Sequence, residues 1–335
     1  MTEPLSALVR SAPVDHGTWA AWWDRLDAGS LDPAEAAAVL AATSVRMPDP
    51  GTTRAFVASL RERVPDPGPV IPGAVNVVGS GGGRATFNIS TAAAFVAAAL
   101  GVRVVKTGSR GHSSPVGATD LLELLGVRPA RTPDELAASL DRFGLAFAGR
   151  YAYPPHLTRL ARLVAPLGMR AVGGFVNAVG PFLANVPVAA QLTGVADPAA
   201  VPALSALAAD HPGRAWLCHN DFGADELIGF VRNTVHEPGA DLFTIEPVTA
   251  HGEPADLVQA PDRAGVVDRF TAVLSGRASV AAVDTVCLNA AALAVLGGVE
   301  ADLARALSAA RDAVAGGAAV DLLHRTCGRT AVAHA

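Results

Sequence analysis

The stretch 74–123, AVNVVGSGGGRATFNISTAAAFVAAALGVRVVKTGSRGHSSPVGATDLLE, sets the reading of the whole chain. Its mostly apolar start, Ala74–Val78, stops at Gly79-Ser80-Gly81-Gly82-Gly83, and Asn88-Ile89-Ser90-Thr91 then leads into an alanine-rich amphipathic run ending near Leu100. A second apolar run, Val102–Val105, delivers Lys106 into the polar, glycine-rich loop Thr107–Gly117, and Asp120-Leu121-Leu122-Glu123 opens another helix. The order strand, glycine loop, helix, strand, loop, helix is that of a βαβ unit. Glycine loops before a helix let backbone N–H groups approach a phosphate, and the helix N-terminus adds partial positive charge. Glycine-rich turns also occur with no ligand, and Asn88, Ser90 and Thr91 stand where side chains cap helices. The loop matches neither G-x-G-x-x-G nor G-x-x-x-x-G-K-[ST], which sets aside the commoner phosphate-binding folds.

Around this block, 335 residues are enough for one large α/β domain and a smaller one. Half the residues are hydrophobic and only 5% aromatic, the composition of a close-packed helix-and-sheet protein. A net charge of −5 with no basic run argues against nucleic acid as a partner. Cys218, Cys287 and Cys327 are odd in number and widely spaced, which suggests a reducing compartment with neither a disulfide framework nor a zinc pattern. No apolar run of about 18 residues escapes interruption by charge or glycine, so no membrane span is expected. The start MTEPLSALVRSAPVDHG lacks a basic region followed by an apolar core, so it does not read as a signal peptide, and the expected location is the cytoplasm.

Upstream, residues 17–65 read as helices. Trp19, Trp22, Trp23 and Leu26 recur at helical spacing, as packing residues in a core or an interface. Asp32-Pro33-Ala34-Glu35 places an N-cap, a proline at the first helical position and an acid in the first turn. A further helix starts at Thr52 or Thr53, and the stiff segment 65–72, PDPGPVIP, marks a change of domain near residue 70. Downstream, Thr132-Pro133-Asp134-Glu135 caps a helix, Leu145–Phe147 forms a short strand, and a helix covers Leu157–Leu167. Ala178–Asn185 is a loop around Gly180-Pro181, Gln191–Val195 and Ala215–His219 are buried strands, and Pro198–Ala209 is the helix between them. The second of these strands runs into Asn220-Asp221-Phe222-Gly223-Ala224-Asp225-Glu226. Adjacent Asp and Glu at the carboxyl end of a strand suit a hard cation such as Mg²⁺, though a solvated acidic turn would look the same. Leu242–Val248 and two or three helices from Arg263 complete the chain.

Together these blocks resemble the anthranilate phosphoribosyltransferase family, glycosyltransferase family 3, whose relatives include the pyrimidine nucleoside phosphorylases. The resemblance runs from LDAGSLDPAEAAAVLAA to CLNAAALAVLGG and DAVAGGAAVDLL. The family's first signature is a strand, G-T-G-G-D and then N-I-S-T. Gly79, Gly81, Gly82, Asn88, Ser90 and Thr91 match it, Ser80 replaces Thr, and Gly83 stands where Asp is expected. The second is K-H-G-N-R, then S-S-x-x-G and an Asp. Lys106, Gly108, Arg110, Ser113, Ser114, Gly117 and Asp120 match, whereas Thr107 and Ser109 replace His and Asn. The third is a strand ending in His-Gly, then Asp-Glu, answered by His219 and Asp225-Glu226 with Asn220 in place of Gly.

The resemblance implies an α/β protein with a small all-helical domain, residues 1–70 plus about 157–182, beside a large α/β domain, residues 71–156 and 183–335. The large domain would hold a central, mainly parallel sheet of the nucleoside phosphorylase/phosphoribosyltransferase type. It further implies transfer of the phosphoribosyl group from phosphoribosyl pyrophosphate (PRPP) to the amine of a small aromatic or heteroaromatic acceptor, anthranilate or a relative. Pyrophosphate would rest on the first glycine loop, Ser90 and Lys106, with Lys106 stabilising its departure, and Gly79 to Gly82, Asn88, Thr91, Gly108, Ser109, Arg110, Ser113 and Ser114 would complete the PRPP site. Ser90, Asp225 and Glu226 would hold Mg²⁺. The acceptor would meet Ser109, Tyr151, Arg170, Asn177 and Pro181. A homodimer through the helical domain is implied as well.

Anthranilate-specific members carry His before Pro in one loop and an Arg before the Asn-x-x-Gly-Pro segment. Here the loop reads Gly149-Arg150-Tyr151-Ala152-Tyr153-Pro154, and the position aligned with the Arg is Gly173. The acceptor half is therefore expected to differ from the family's usual one. Two other readings stay open at this stage: a nucleoside phosphorylase-like phosphorolysis, for which His112 lies two residues too early, and a non-catalytic member that binds a ligand or nucleic acid.

Overall fold

The computed structural model describes residues 3–108, 116–165 and 167–327. Four helices come first: α1 (Glu3–Val9), α2 (His16–Asp27), α3 (Pro33–Val45) and α4 (Pro50–Arg61). The chain then enters β1 (Ile71–Gly79), α5 (Ile89–Ala99), β2 (Arg103–Lys106), α6 (Ala118–Leu125), α7 (Pro133–Phe143) and β3 (Leu145–Phe147). A second helical run follows, α8 (Pro155–Leu163), α9 (Gly168–Val172) and α10 (Gly174–Val179). The rest is β4 (Val188–Gly194), α11 (Val201–Ala209), β5 (Arg214–Asn220), β6 (Asn233–His236), β7 (Phe243–Ile245) and helices α12 (Arg263–Leu274), α13 (Val280–Leu296), α14 (Leu303–Ala315) and α15 (Ala318–Thr326).

Aspartates start the first helices as their sequence suggests. Asp32 accepts from the Ala34 and Glu35 amides at the head of α3. In α4 the cap is Asp49, whose carboxylate takes the Thr52 amide, so that helix begins at Pro50, ahead of the expected Thr52. The helix expected over Leu157–Leu167 is α8, which runs from Pro155 and stops at Leu163, α9 beyond it was not expected, and the expected loop at Ala178 begins inside α10. Four helices follow Arg263 where two or three were expected, and β6 was not anticipated.

The seven strands run in the order β3-β2-β1-β4-β5-β6-β7. Neighbours from β3 to β5 are parallel, and β6 and β7 are antiparallel additions at one edge. The fold is thus α/β with a mainly parallel central sheet. Side chains of β1 divide between the faces: Val75 and Val77 join a core with α5 and the C-terminal helices, while Ala74 joins a cluster with Leu136, Leu140 and Val188. Helix α13 is buried along almost its whole length, which explains its apolar character on every side. A separate core unites Trp19, Trp22, Trp23 and Phe56 of the first helices with Leu160, Phe175 and Phe182 of the second helical run, and it continues onto Leu217 of the sheet. The three tryptophans are at most 1% exposed and meet edge to face, so they pack the interior and offer nothing to a surface interface.

The strand order reverses at β1, which leads to β2 on one side and lies against β4 on the other. In an open parallel sheet that reversal leaves a crevice at the carboxyl ends of the two strands. Gly79 and Gly194, the last residues of β1 and β4, face each other there in register.

Candidate active site

A cleft of about 1720 Å³ opens at this crevice, between the strand ends and the helical run that contains α8 and α10. Its floor is the glycine loop after β1, with Gly79, Ser80, Gly81 and Gly83, followed by Asn88, Ser90 and Thr91 at the head of α5. Lys106 and Gly108 enter from the end of β2, and Asp225 and Glu226 from the loop after β5. Tyr151, Asn177 and Pro181 form the opposite wall. Residues the sequence places far apart therefore meet in one cavity. Gly82 and Arg170 do not line it: Arg170 is exposed on α9. Ser109, Arg110, Ser113 and Ser114 lie outside the described residues, as does His112.

Close approach explains two of the glycines. A Cβ on Gly79 would fall 2.0 Å from Asp225 Oδ2, and one on Gly194 only 1.7 Å from the Asp225 backbone oxygen. The loop after β5 thus crosses directly over the ends of β1 and β4, and only residues without side chains admit it. The Gly81 amide donates to Asp225 Oδ2 at 2.7 Å, so this loop amide orients a carboxylate. Gly83 is equally confined: a Cβ there would lie 2.7 Å from the Gly223 carbonyl oxygen. The acid that the family places in this loop has no room on this backbone.

Asp225 and Glu226 are adjacent carboxylates pressed into the cleft wall. Burial raises the pKa of Asp225, and burial together with the Asp225 charge raises that of Glu226 well above the usual carboxylate range. Besides the Thr86 hydroxyl at 3.5 Å, no hydrogen-bond partner for the Glu226 carboxylate occurs among the described residues. Two repelling carboxylates without a matching cation on their oxygens are the donor chemistry for a hard divalent ion that keeps waters in its shell. Among the described residues no cluster of three or more His, Cys, Asp or Glu side chains could hold a metal, so other ligands would be waters, hydroxyls or substrate oxygens. The Thr91 hydroxyl, at the cleft and fully buried, has no partner among the described residues. These residues fit Mg²⁺ with an oxygen-rich ligand.

Lys106 is the only lysine in the 335 residues. It is 3% exposed, and its Nζ donates to the carbonyls of Val77 at 3.0 Å and Thr107 at 3.1 Å. Burial lowers its pKa to about 8, against the attraction of Glu226 and Asp225. Two of the three ammonium N–H bonds are committed to the protein, leaving one for a ligand.

Asn88 lines the cleft but does not cap α5 through its side chain. Its amide donates to the Val116 carbonyl and accepts from Gln259, tying α5 to two remote segments. His219 is not among the cleft residues, and its Nε2 lies 3.1 Å from His236 Nε2. Ring centroids 5.2 Å apart mean the two nitrogens meet almost head-on, as in an N–H···N hydrogen bond. Burial and the His236 charge lower the His219 pKa.

Arginines reach the cleft from several sides, namely Arg84, Arg128, Arg131, Arg150, Arg159 and Arg162. Arg131 is tied to Glu135, and Arg159 to Asp27, which also accepts from His156 and Arg63. For Arg128 and Arg162 no acid partner is present among the described residues. Gly173, aligned with the family's arginine, is closed off: a Cβ would meet the Met169 carbonyl oxygen at 2.4 Å. The extra turn α9 therefore fills the space that a long side chain would need. Sequence reasoning overlooked Arg162, Tyr153 and Gly194, along with the buried Asn76 and Gln191. The only signal for these last two is a lone amide inside each of two apolar strands.

The switch point of a doubly wound sheet thus gathers a glycine loop, a buried ammonium and two carboxylates, and the chain that carries them matches the glycosyl transferase class. Residues 72–320 match the family model described as "Glycosyl transferase family, a/b domain". An anthranilate phosphoribosyltransferase of Methylorubrum extorquens is 33% identical over 330 residues, covering 96% of each chain. One from Thermomicrobium roseum is 38% identical over 264 residues, 75% of this chain and 74% of that one. The solved anthranilate phosphoribosyltransferase of Thermus thermophilus superposes with a TM-score of 0.83 at 28% identity, covering 98% of this chain and 99% of that one. The Saccharomyces cerevisiae enzyme, solved in complex with PRPP and Mg, shares the fold at a TM-score of 0.79 and 20% identity over 93% and 91% of the two chains. This chain belongs to the anthranilate phosphoribosyltransferase family and is a pentosyltransferase.

Proposed function

We propose that this protein is a Mg²⁺-dependent phosphoribosyltransferase that moves the 5-phosphoribosyl group from PRPP to the amine of a small aromatic or heteroaromatic acid, releasing pyrophosphate. The observation that carries the reading is the meeting of the lone Lys106 with Asp225 and Glu226 at the ends of β1 and β4. Ser90, Asp225 and Glu226 would hold the metal, which when bound neutralises charge on the pyrophosphate oxygens. The glycine-loop amides, Ser90, Thr91 and the remaining N–H of Lys106 would bind the same oxygens, as would Gly108 and its successors Ser109, Arg110, Ser113 and Ser114. Loss of pyrophosphate leaves positive charge at the ribose, so stabilising the leaving group is the main task of these residues. Attack by the amine then depends on placement, because reacting atoms held in line need little further assistance.

The acceptor would lie against Tyr151, Asn177 and Pro181. Burial, with a smaller contribution from Glu135, pushes the Tyr151 phenol up to about 12, so it stays a hydrogen-bond donor at neutral pH. With Gly173 closed and Arg170 outside the cleft, Arg162 of α8 would meet the acceptor carboxylate. Pairing of two copies through the helical layer and residence in the cytoplasm belong to the same reading. The test is pyrophosphate release from PRPP with Mg²⁺ across anthranilate, substituted benzoates and heteroaromatic amines. Turnover with at least one is expected; failure of PRPP both to bind in calorimetry and to turn over would sink the proposal.

A further inference from the structure

Beneath the cleft floor runs a line of buried polar side chains that the substrate contacts do not use. Asn76, in the middle of β1, and Gln191, its register partner on β4, are 0% and 3% exposed. Asn76 Oδ1 accepts from both the backbone N–H of Thr107 at 3.0 Å and its hydroxyl at 3.1 Å. Asn76 Nδ2 donates to Gln191 Oε1 at 3.0 Å. Gln191 Nε2 then donates to the Thr193 hydroxyl at 3.0 Å and towards the Pro181 carbonyl at 3.4 Å. A backbone N–H cannot accept, so the Thr107 amide fixes which Asn76 atom faces it, and that choice fixes the direction of every later bond.

Both ends of this line touch the cleft. Thr107 supplies one of the two carbonyls that hold the Lys106 ammonium, and it lines the cleft itself. Pro181 and Tyr153 belong to the wall opposite the glycine loop. In a strand an apolar residue would cost less than a buried amide with no partner, so a fully paired amide ladder has to be matched bond for bond.

We propose that Asn76 is a positioning residue for group transfer in this enzyme, setting Lys106 through Thr107 and, through Gln191, locking that setting to the acceptor wall at Pro181. The inference rests on the phosphoribosyltransferase reading. Leucine matches the branching and heavy-atom number of asparagine but makes none of its bonds, whereas aspartate keeps the acceptor for both Thr107 donors. Asn76→Leu should therefore lower kcat on the order of 10- to 100-fold with little change in the KM for PRPP. Asn76→Asp, which keeps the acceptor for Thr107 but has no N–H for Gln191 Oε1, should recover part of kcat while leaving the acceptor KM raised. Gln191→Leu, which leaves Thr107 held, should act mainly on the KM for the acceptor.

The single lysine provides a readout independent of turnover. In protein labelled with ¹³C-lysine only Lys106 gives a Cε signal, and its two Hε protons should be resolved while the ammonium is held. In folded Asn76→Leu they should merge, and in Gln191→Leu they should stay apart. Wild-type turnover together with an unchanged kcat and an unchanged Lys106 signal in Asn76→Leu would overturn the assignment of Asn76 alone. If Asn76→Leu does not fold, equal kcat and acceptor KM in Gln191→Leu and wild type would overturn it. Absence of PRPP turnover in the wild type would instead remove the functional reading, and this proposal with it.

Discussion

Asp225 occupies the space where side chains on Gly79 and Gly194 would be, and this crossing is what brings its carboxylate to the Gly81 amide. Gly194→Ala should force the loop after β5 away from the strand ends, at a stability cost of about 1–3 kcal/mol for an overpacked site. Because Asp225 would move with the loop, PRPP turnover should fall by far more than the folded fraction does. Thermal melting and kinetics on the same sample check this, and a variant as active as the wild type would show that the crossing has no catalytic importance. In the sequence Gly79 reads as part of a phosphate loop, and nothing distinguishes Gly194 from any strand-end glycine. The side chain that requires both belongs to a distant segment, so local pattern could not supply the reason.

Among the elements, α8 and α9 shape the cleft wall proposed to meet the acceptor. Helix α8 presents Arg159 and Arg162 to the cleft, but Asp27 of α2 holds Arg159 and His156 together and so fixes the helix against the first helical run. Arg162, one turn along, is left for a ligand. Arg162→Ala should raise the acceptor KM about tenfold or more, as expected for loss of one charged hydrogen bond, while leaving the KM for PRPP unchanged. Equal acceptor KM values in variant and wild type would exclude Arg162. The sequence shows that about three residues are inserted before Asn177, but gives no helix there beyond the one expected to end at Leu167. Gly168, at a backbone φ of +70°, opens the short helix α9, which turns into the space beside Gly173.

For the molecule as a whole, the cleft joins two layers, and its charges link ligand binding to pH. The raised pKa of Asp225 and Glu226 means that stability is fully present below their unfolded values and is lost as pH rises through their folded ones. Lys106 acts oppositely: with its pKa lowered to about 8 from the ordinary 10.5, stability is gained as pH climbs through that interval. Melting temperature without metal should thus fall as the carboxylates ionise, and Mg²⁺ with PRPP should largely cancel that fall. At a hundredfold excess over Kd, ligand should add about 2.7 kcal/mol. Scanning calorimetry across pH, with and without Mg²⁺ and PRPP, would contradict this linkage if the two curves ran parallel.

The sequence by itself determined the α/β class, the order of its main elements, and the glycine loop, Lys106 and the Asp225-Glu226 pair as candidate site residues. These are local patterns: apolar periodicity, turn residues and motifs a few residues long, each legible without knowing what lies across the sheet. The tertiary structure alone decided that Gly79 and Gly194 serve Asp225, that α9 closes Gly173, that Arg162 faces the cleft while Arg170 does not, and that Asn76 and Gln191 pair beneath Lys106. Apart from the local contact of Met169 with Gly173, these depend on segments far apart in the chain that the fold brings together. A residue's partners across such a contact are set by packing and register, which no window of sequence contains.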